Sequence, residues 1–391
     1  MPPKRNPFQV TRRPASRQEF CDRTAELGRL HQTWDTPGAK LVMYGDRRQG
    51  KTAALELVAA EARAKRKRVV VFSLATVIGP EDAVRRLIQA VHKTIRRSWK
   101  TALNDLAVKL RFTVTLTPTP EQGGVPEFTL GFEPGAAAPH SGMFTDALDT
   151  IEAELERRRL RLGLGIDEFQ RLLKWGGEDI EWALKAALEK HSRISYVLAG
   201  SAPSLIEEMV SNKNRALWKT VETMPLGPIA PEEFSRWIVA RAESTGVGLT
   251  PEVASRIVTL AGPRTRDVIV LARETWEDAR VNRGPGDPDR ALAAHVDATA
   301  DLHARIWQLR TDRERKLLRM LAVYPRIEPT ADAVRRRFGL GPASTAAKAL
   351  GVLVADEVLA RPGGRLTFDD PFFRAWVALT TGEDIQPVPA E

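Results

Sequence analysis

The feature that most constrains the fold is a glycine-bounded loop between a strand and a helix. Residues 45–52 read GDRRQGKT and fit the pattern G-x-x-x-x-G-K-[ST] in full. The apolar run 40–44 before the loop predicts a buried strand, and residues 51–64 carry apolar positions at helical spacing. A second strand is expected at 68–74. The order strand, loop, helix, strand favours a parallel sheet in an α/β fold.

Each residue type in this loop suits the binding of a nucleotide phosphate. Its glycines let backbone N–H groups wrap an anion, and the following helix directs its positive N-terminus at that anion. Lys51 is expected to reach the β- and γ-phosphates, and the Thr52 hydroxyl to bind Mg²⁺. The sequence therefore predicts a P-loop NTPase that binds a nucleoside triphosphate with Mg²⁺. The predicted nucleotide-binding loop comprises Gly45, Asp46, Arg47, Arg48, Gln49, Gly50, Lys51 and Thr52.

A second acidic site follows a later strand. The run LGLGIDEFQ at 162–170 contains the adjacent carboxylates Asp167 and Glu168. Asp167 is expected to hold Mg²⁺, and Glu168 to polarise the water that attacks the γ-phosphate. Ser201, at the end of the next strand, is expected between the phosphates and that water, and it could equally begin a helix as its N-cap. The predicted catalytic residues are thus Lys51, Glu168 and Ser201.

Beyond the strands the pattern changes to helices alone. Arg264 and Arg266 follow a Gly-Pro break in this region, where they could touch the γ-phosphate or lie exposed near a helix start. Arg215 and Lys219 precede it and are possible trans-acting groups that reach the site of a neighbouring subunit in a homo-oligomer. A plain surface role is the alternative for both of these residues.

The C-terminal part has three helical stretches followed by two short apolar runs around a glycine turn, which is the layout of a winged helix-turn-helix. Its predicted recognition helix covers 342–358. The predicted segments are a basic N-terminal arm (1–21), a P-loop core (22–229) with a β-hairpin insert near 111–132, a helical lid (230–281), a Gly/Pro/Asp linker with a connecting helix (282–310) and the winged-helix domain (311–391).

A DNA partner is one interpretation of the C-terminal domain. The formal net charge is +9 and the pI about 9.8, which fits a polyanionic partner, although arginine is spread along the whole chain. Packing of this domain on its own core or on another protein is the alternative. The predicted DNA contacts are Ser344, Thr345 and Lys348 on the recognition helix, with Arg335, Arg336, Arg337, Arg361 and Arg365 at the phosphates.

Cys21 is the single cysteine, so an internal disulfide is excluded. The basic N-terminus lacks the apolar stretch of a secretory signal, and no run approaches the roughly 18 apolar residues of a membrane span. These features lead us to expect a cytoplasmic protein.

Several strings resemble the archaeal-type AAA/STAND P-loop ATPases, relatives of the archaeal origin-recognition initiators. The resemblance covers nearly the whole chain and implies an AAA+/STAND-like core with a helical lid and a winged helix, and ATP rather than GTP as substrate. It also implies that Pro7, Phe8 and Arg23 lie near the nucleotide. The strings are Asn6-Pro7-Phe8, Phe20-Cys21-Asp22-Arg23 with Glu26-Leu27, the P-loop, Ile166 to Gln170, Gly200-Ser201, Leu226-x-Pro228 and Phe368 to Val377.

This sequence departs from the resembled pattern at two positions. Asp22 stands where these ATPases usually have glycine, and Trp218-Lys219 stands where they often have Gly-Arg before the Leu-x-Pro string.

Three functions remain open. The leading hypothesis is a nucleotide-driven ATPase switch that binds DNA through its winged helix. The second is a signalling or defence ATPase whose winged helix and insert bind protein, and the third is a nucleotide binder with slow, partner-dependent turnover.

Overall fold

The computed structural model describes most of the chain, in ranges separated by gaps. The residues divide into a sheet unit, 14–227, and a helical unit, 1–13 with 228–391. The described ranges are 5–10, 16–95, 142–361 and 364–380, together with the backbone alone of 112–117 and 127–132.

The sheet unit is built on a parallel sheet in the order β2-β5-β6-β1-β7. Every residue of β5 and β6 is buried, as expected for parallel strands covered on both faces. A separate antiparallel pair, β3 with β4, lies in the segment where the sequence predicts a hairpin insert. The strands are β1 Lys40–Tyr44, β2 Val69–Ser73, β3 Phe112–Thr117, β4 Glu127–Phe132, β5 Leu162–Asp167, β6 Ile194–Gly200 and β7 Glu222–Pro225.

Helices cover both faces of this sheet. The first two helices supply one apolar core, which contains Leu30 and Leu55, and the next three supply the core on the opposite face, which contains Leu87, Leu148 and Leu184. The helices are α1 Thr24–Asp35, α2 Lys51–Ala64, α3 Pro80–Ile95, α4 Met143–Arg157, α5 Leu173–Lys190 and α6 Pro203–Ser211, with short 3₁₀ turns at Arg17–Glu19 and Phe169–Leu172.

The helical unit contains nine helices and one short antiparallel ribbon within the described ranges. Three of these helices, from residue 312 to 355, come directly before the ribbon, as the sequence predicts for the C-terminal domain, and one more helix follows the ribbon. The elements are α7 Pro231–Glu243, α8 Pro251–Ala261, α9 Thr265–Asn282, α10 Pro288–Ala298, α11 Ala300–Gln308, α12 Asp312–Val323, α13 Asp332–Phe338, α14 Ala343–Ala355, β8 Leu359–Ala360, β9 Thr367–Phe368 and α15 Pro371–Thr380.

The start of the chain belongs to the helical unit. Phe8 is 1% exposed and its ring meets Trp237 edge-on at 5.8 Å between centroids. The Asn6 amide donates to the Arg273 carbonyl at 3.1 Å and to the Glu277 carboxylate at 3.0 Å. These contacts fix the Asn-Pro-Phe string on α7 and α9.

No single helix among those described has both the length and the apolarity of a membrane span. Only α13 and α14 taken together, across a 78° bend, reach that length and composition.

Candidate nucleotide site

The strand register places the carboxyl ends of three neighbouring strands side by side. Tyr44 of β1 lies opposite Gly200 of β6, and Asp167 of β5 lies opposite Ala199 of β6. Because β6 lies between β1 and β5, the residues that follow these strands meet at one edge of the sheet. We call it the carboxyl edge, and it holds the P-loop, the acidic pair and Ser201.

Two glycines of the P-loop have a steric reason to be glycine. A Cβ on Gly45 would overlap the carbonyl oxygen of Leu226, whose N–H donates to Tyr44 at 2.6 Å. Gly50 has φ +91° where it begins α2, in the left-handed region that side chains rarely adopt. The loop can therefore pack its backbone tightly before turning into the helix.

Lys51 is buried at the mouth of the loop, with 5% of its surface exposed. Its ammonium donates to the carbonyl oxygens of Gly45 at 2.7 Å and Asp46 at 2.6 Å. Burial lowers the pKa of Lys51, and the charges of Glu168 and Asp167 oppose that shift. The side chain is thus positioned by loop carbonyls, beside carboxylates that favour its charged form.

Thr52 and Asp167 are brought together across the sheet edge. The Thr52 hydroxyl donates to Oδ2 of Asp167 at 2.8 Å. The other carboxylate oxygen, Oδ1, is buried and accepts no hydrogen bond from any described residue. Burial raises the pKa of Asp167, and the hydrogen bond from Thr52 opposes that shift. A hydroxyl beside a carboxylate with an unused buried oxygen is the hard oxygen donor set that suits Mg²⁺, so these residues fit the ion.

Glu168 and Ser201 form the second pair at this edge. The Glu168 carboxylate accepts hydrogen bonds from the Ser201 hydroxyl and from the Gln170 amide, each at 2.7 Å. Glu168 itself has φ +58°, an uncommon conformation for a residue other than glycine. Gln170 was not predicted as a site residue, and its residue type alone gave no signal. Its position two residues after Glu168, in the quoted string, was the one available clue.

The remaining loop residues and Arg23 have the following places. Arg47 is exposed, and Gln49 is buried with 3% exposure. Arg23 is 5% exposed; it pairs with Glu26 at 3.1 Å and donates to the carbonyl of Gly227. Both Asp22 and Arg23 have positive φ, +51° and +66°. This backbone conformation is one that glycine adopts easily, so Asp22 here takes a conformation natural to the glycine of the resembled pattern.

The two possible trans-acting residues make contacts inside the sheet unit. Arg215 forms an ion pair with Glu181, whose side chain is 1% exposed, and a second one with Glu208 at 3.1 Å. The Lys219 ammonium lies over the ring of Trp218 at 4.4 Å from its centroid. A trans-acting role for either residue stays a prediction, and for Arg215 it would require release from a buried partner.

In the helical unit, Arg264 lies just before α9 and pairs with Asp369 at 2.7 Å. Arg266 is exposed one residue into the helix. Asp369 follows β9, so Arg264 links the start of α9 to the ribbon of the C-terminal module. The predicted contact of these arginines with a γ-phosphate stays a prediction.

The predicted DNA-contacting residues lie either on α14 and around the ribbon or on α13. Those in the first group are mostly exposed: Ser344, Lys348, Arg361 and Arg365 are exposed, and Thr345 is half-buried. Arg361 and Arg365 line a cavity of about 430 Å³ together with Arg326, which is not among the predicted contacts.

The arginines of α13 make contacts within the module. Arg335 donates to the carbonyls of Thr330 at 3.0 Å and Gly341 at 2.8 Å, which gives it a structural role there. Arg336 lies 3.7 Å from Asp332, and Arg337 lies over the ring of Phe338.

Comparisons with known proteins identify solved structures with the same fold. The chain is similar to a Walker-type ATPase of Pyrococcus abyssi, with a TM-score of 0.57 and 15% identity, covering 95% of this chain and 99% of that one. It is similar to the ORC2 protein of Aeropyrum pernix in its ADPNP and ADP complexes, with a TM-score of 0.54, 16% identity and coverages of 97% and 99%. It is also similar to the ORC1 protein of the same organism in complex with DNA, with a TM-score of 0.51, 15% identity and coverage of 97% of both chains.

The chain has an α/β P-loop NTPase fold. At such low identities the likeness shows a shared fold, which agrees with the fold that the resemblance to archaeal initiator ATPases implies. No family model matches the sequence. A curated relative, the probable proline iminopeptidase of Streptomyces coelicolor, is 28% identical over 169 residues. That match spans 40% of this chain and 46% of the relative, so the relative's name carries no statement about this chain's activity.

Proposed function

We propose that this chain binds ATP with Mg²⁺ at the carboxyl edge and hydrolyses it. The observation that carries the proposal is the pairing of Thr52 with Asp167, whose second carboxylate oxygen is buried without a partner among the described residues. A buried carboxylate oxygen without a partner is costly, which indicates that it serves a ligand. Glu168 and Ser201 lie at the same edge and complete a hydrolytic set.

In this proposal the residues have separate tasks. Lys51 and the loop N–H groups bind the phosphates, and Thr52 and Asp167 hold Mg²⁺. When bound, Mg²⁺ supplies charge neutralisation on the phosphate oxygens. Glu168 accepts a hydrogen bond from the attacking water and orients it, while Ser201 holds the Glu168 carboxylate in place. The water oxygen bonds to the γ-phosphorus as the bond to the β,γ-bridging oxygen breaks, which yields ADP and inorganic phosphate.

The C-terminal module is proposed to be a winged helix that binds DNA. Its support is the helix order that ends in a short ribbon, and the exposed Lys348, Arg361 and Arg365. The structure of the ORC1 protein of Aeropyrum pernix, which has the same fold, is a complex with DNA. The pairing of Arg264 with Asp369 supports coupling, since a nucleotide that attracts Arg264 would free the ribbon. The chain would then act as a nucleotide-driven switch.

The first test is ATP turnover by the wild type and by Lys51→Ala, each with and without mixed duplex DNA. Turnover that rises with DNA in the wild type and is lost in Lys51→Ala is the expected result. ATP binding without turnover would contradict the hydrolytic part of the proposal. Turnover that ignores DNA would contradict the DNA-coupled part and favour a protein partner, the signalling alternative.

A further inference from the structure

The opposite edge of the same sheet gathers positive charge from three separate parts of the sequence. This is the edge at which β2, β5 and β6 begin. We call it the basic edge, and define it by Lys65, Arg66, Lys67 and Arg68 before β2, Arg159 and Arg161 before β5, and Arg193 before β6.

Backbone hydrogen bonds place these segments side by side. The Gly163 N–H donates to the Arg68 carbonyl at 2.9 Å, and the Leu162 N–H donates to the Arg193 carbonyl at 3.0 Å. Adjacent strands lie about 4.8 Å apart, so the three strand starts span about 10 Å. The seven basic residues therefore form one surface although the chain separates them by up to 128 positions.

Most of these cations have no partner among the residues that the structure describes. Among the described ranges, the side chains of Lys65, Arg66, Arg68, Arg159, Arg161 and Arg193 make no hydrogen bond or ion pair, while Lys67 pairs with Asp35. Many arginines elsewhere in the sheet unit do have partners, such as Arg157 and Arg158 on Glu154. The basic edge thus differs from the rest of the unit by pairing as well as by charge.

Nearby negative charge reduces the excess without removing it. Asp35 is paired with Lys67, Glu156 is exposed on α4, and Glu152 is buried and accepts N–H groups at the start of β6. The C-termini of α2 and α4 together add roughly one further negative charge. After these are counted the edge retains about three positive charges.

The edge also has a concave surface. A cavity of about 470 Å³ is lined by Trp34, Asp35, Arg66, Lys67, Arg68 and Arg161. The indole of Trp34 packs over Gly163, whose missing side chain gives it room, and its N–H is buried without a partner among the described residues. An anion on this surface would be surrounded by guanidinium groups on an apolar base.

We infer that the basic edge binds the phosphate backbone of duplex DNA. The clustered, unpaired and mostly exposed guanidinium groups match phosphates in charge and in hydrogen-bonding geometry. The three strands β2, β5 and β6 are five to seven residues long, so the basic edge lies roughly 17–23 Å from the carboxyl edge. DNA and nucleotide could therefore be bound at the same time. This surface lies in the sheet unit and does not depend on the C-terminal module.

The test is a salt titration of duplex binding by full-length variants, read by fluorescence anisotropy. Arg66→Gln, Arg68→Gln and Arg161→Gln are combined in one variant. A control combines Lys93→Gln, Lys174→Gln and Lys213→Gln, which are exposed, unpaired among the described residues and dispersed over the same unit. Each lost phosphate contact lowers the slope of log K against log salt by about 0.9. The edge variant should therefore lose about 2.7 of slope and on the order of tenfold or more in affinity at low salt.

A third variant separates this inference from the proposed function. Lys348→Gln, Arg361→Gln and Arg365→Gln remove the exposed cations of the C-terminal module. If the edge variant binds like the dispersed control, or the wild type binds no duplex at low salt, the inference is overturned. If instead the edge variant weakens binding and the C-terminal variant does not, the inference stands and the proposed winged-helix contact fails. Thermal unfolding of all variants confirms that each one is folded.

Discussion

The two edges of the five-stranded sheet carry charge in opposite ways. At the carboxyl edge, Lys51 and Asp167 are buried, hydrogen-bonded and shifted in pKa by burial. At the basic edge, Arg66, Arg68 and Arg161 are exposed and without partners among the described residues. Buried groups with fixed geometry suit chemistry on one ligand, while exposed cations suit binding of an extended polyanion by charge.

The difference also explains which edge the sequence could predict. The P-loop is eight consecutive residues and the acidic pair is two, so each forms a recognisable string. The basic edge is assembled from 65–68, 159–161 and 193 by the strand order β2-β5-β6. The pattern of helices and strands in the sequence predicts a parallel sheet but does not fix the strand order. The sequence alone therefore does not predict that these three segments lie side by side.

The largest expected effect concerns turnover at the carboxyl edge. Glu168→Gln keeps the hydrogen-bonding shape and removes the charge that polarises water, so turnover should fall about a hundredfold or more while ATP still binds. Steady-state turnover and equilibrium ATP binding check this. Glu178→Gln, an exposed change in the same unit, is the matched control. Unchanged turnover in Glu168→Gln would place the catalytic carboxylate elsewhere.

Side-chain contacts that the sequence could not predict decide other residue roles. The place of Arg215 in the chain predicts a possible trans-acting group, yet this arginine pairs with Glu181, which is 34 positions away and buried. The sequence predicts no role for Gln170, yet its amide donates a hydrogen bond to Glu168. Both results depend on how α5 and the turn after β5 pack, which residue type and spacing do not fix.

The Arg215–Glu181 pair gives the largest expected effect on stability. Glu181→Ala leaves a nearly buried guanidinium without its main partner and should lower the free energy of unfolding by about 3 kcal/mol. Urea unfolding measures this loss. Glu178→Ala is the exposed control and should cost little. A small loss in Glu181→Ala would mean that the pair contributes little and could break at low cost. Arg215→Lys should then lower turnover in a manner that depends on protein concentration if Arg215 acts in trans.

Asp167 tests whether burial at the carboxyl edge costs stability. Its pKa is raised above the ordinary 3.8. Protonated Asp167 therefore contributes to the free energy of unfolding fully below about pH 4, and this contribution is lost as the pH rises toward the pKa of the folded state. Asp167→Asn should therefore be more stable than the wild type at pH 7 without nucleotide, by up to about 1 kcal/mol, and the gap should close at low pH.

Thermal unfolding across pH, with and without Mg²⁺ and ATP, measures this effect. Asp167→Asn should also lose the extra stabilisation of the protein that Mg²⁺ gives in the presence of ATP. Asp179→Asn, an exposed carboxylate, should show neither change. A variant less stable than the wild type at pH 7 would mean that the contact with Thr52 outweighs the cost of burying the charge.

The smallest expected effect concerns Arg66, and it would separate binding from stability at the basic edge. Arg66 has φ +60° where α2 ends, and the next N–H, of Lys67, donates to the Ala62 carbonyl at 3.0 Å, a helix end that favours glycine. Arg66→Gly should raise the free energy of unfolding by about 0.5 kcal/mol, because relief of the left-handed strain exceeds the added entropy of the unfolded chain. The same change should weaken duplex binding, whereas Arg283→Gly, at φ +53° after α9 in the helical unit, should give the stability gain alone. If Arg66→Gly and Arg283→Gly bind duplex equally well, Arg66 makes no phosphate contact. It would then not belong to the cations of the basic edge that bind DNA.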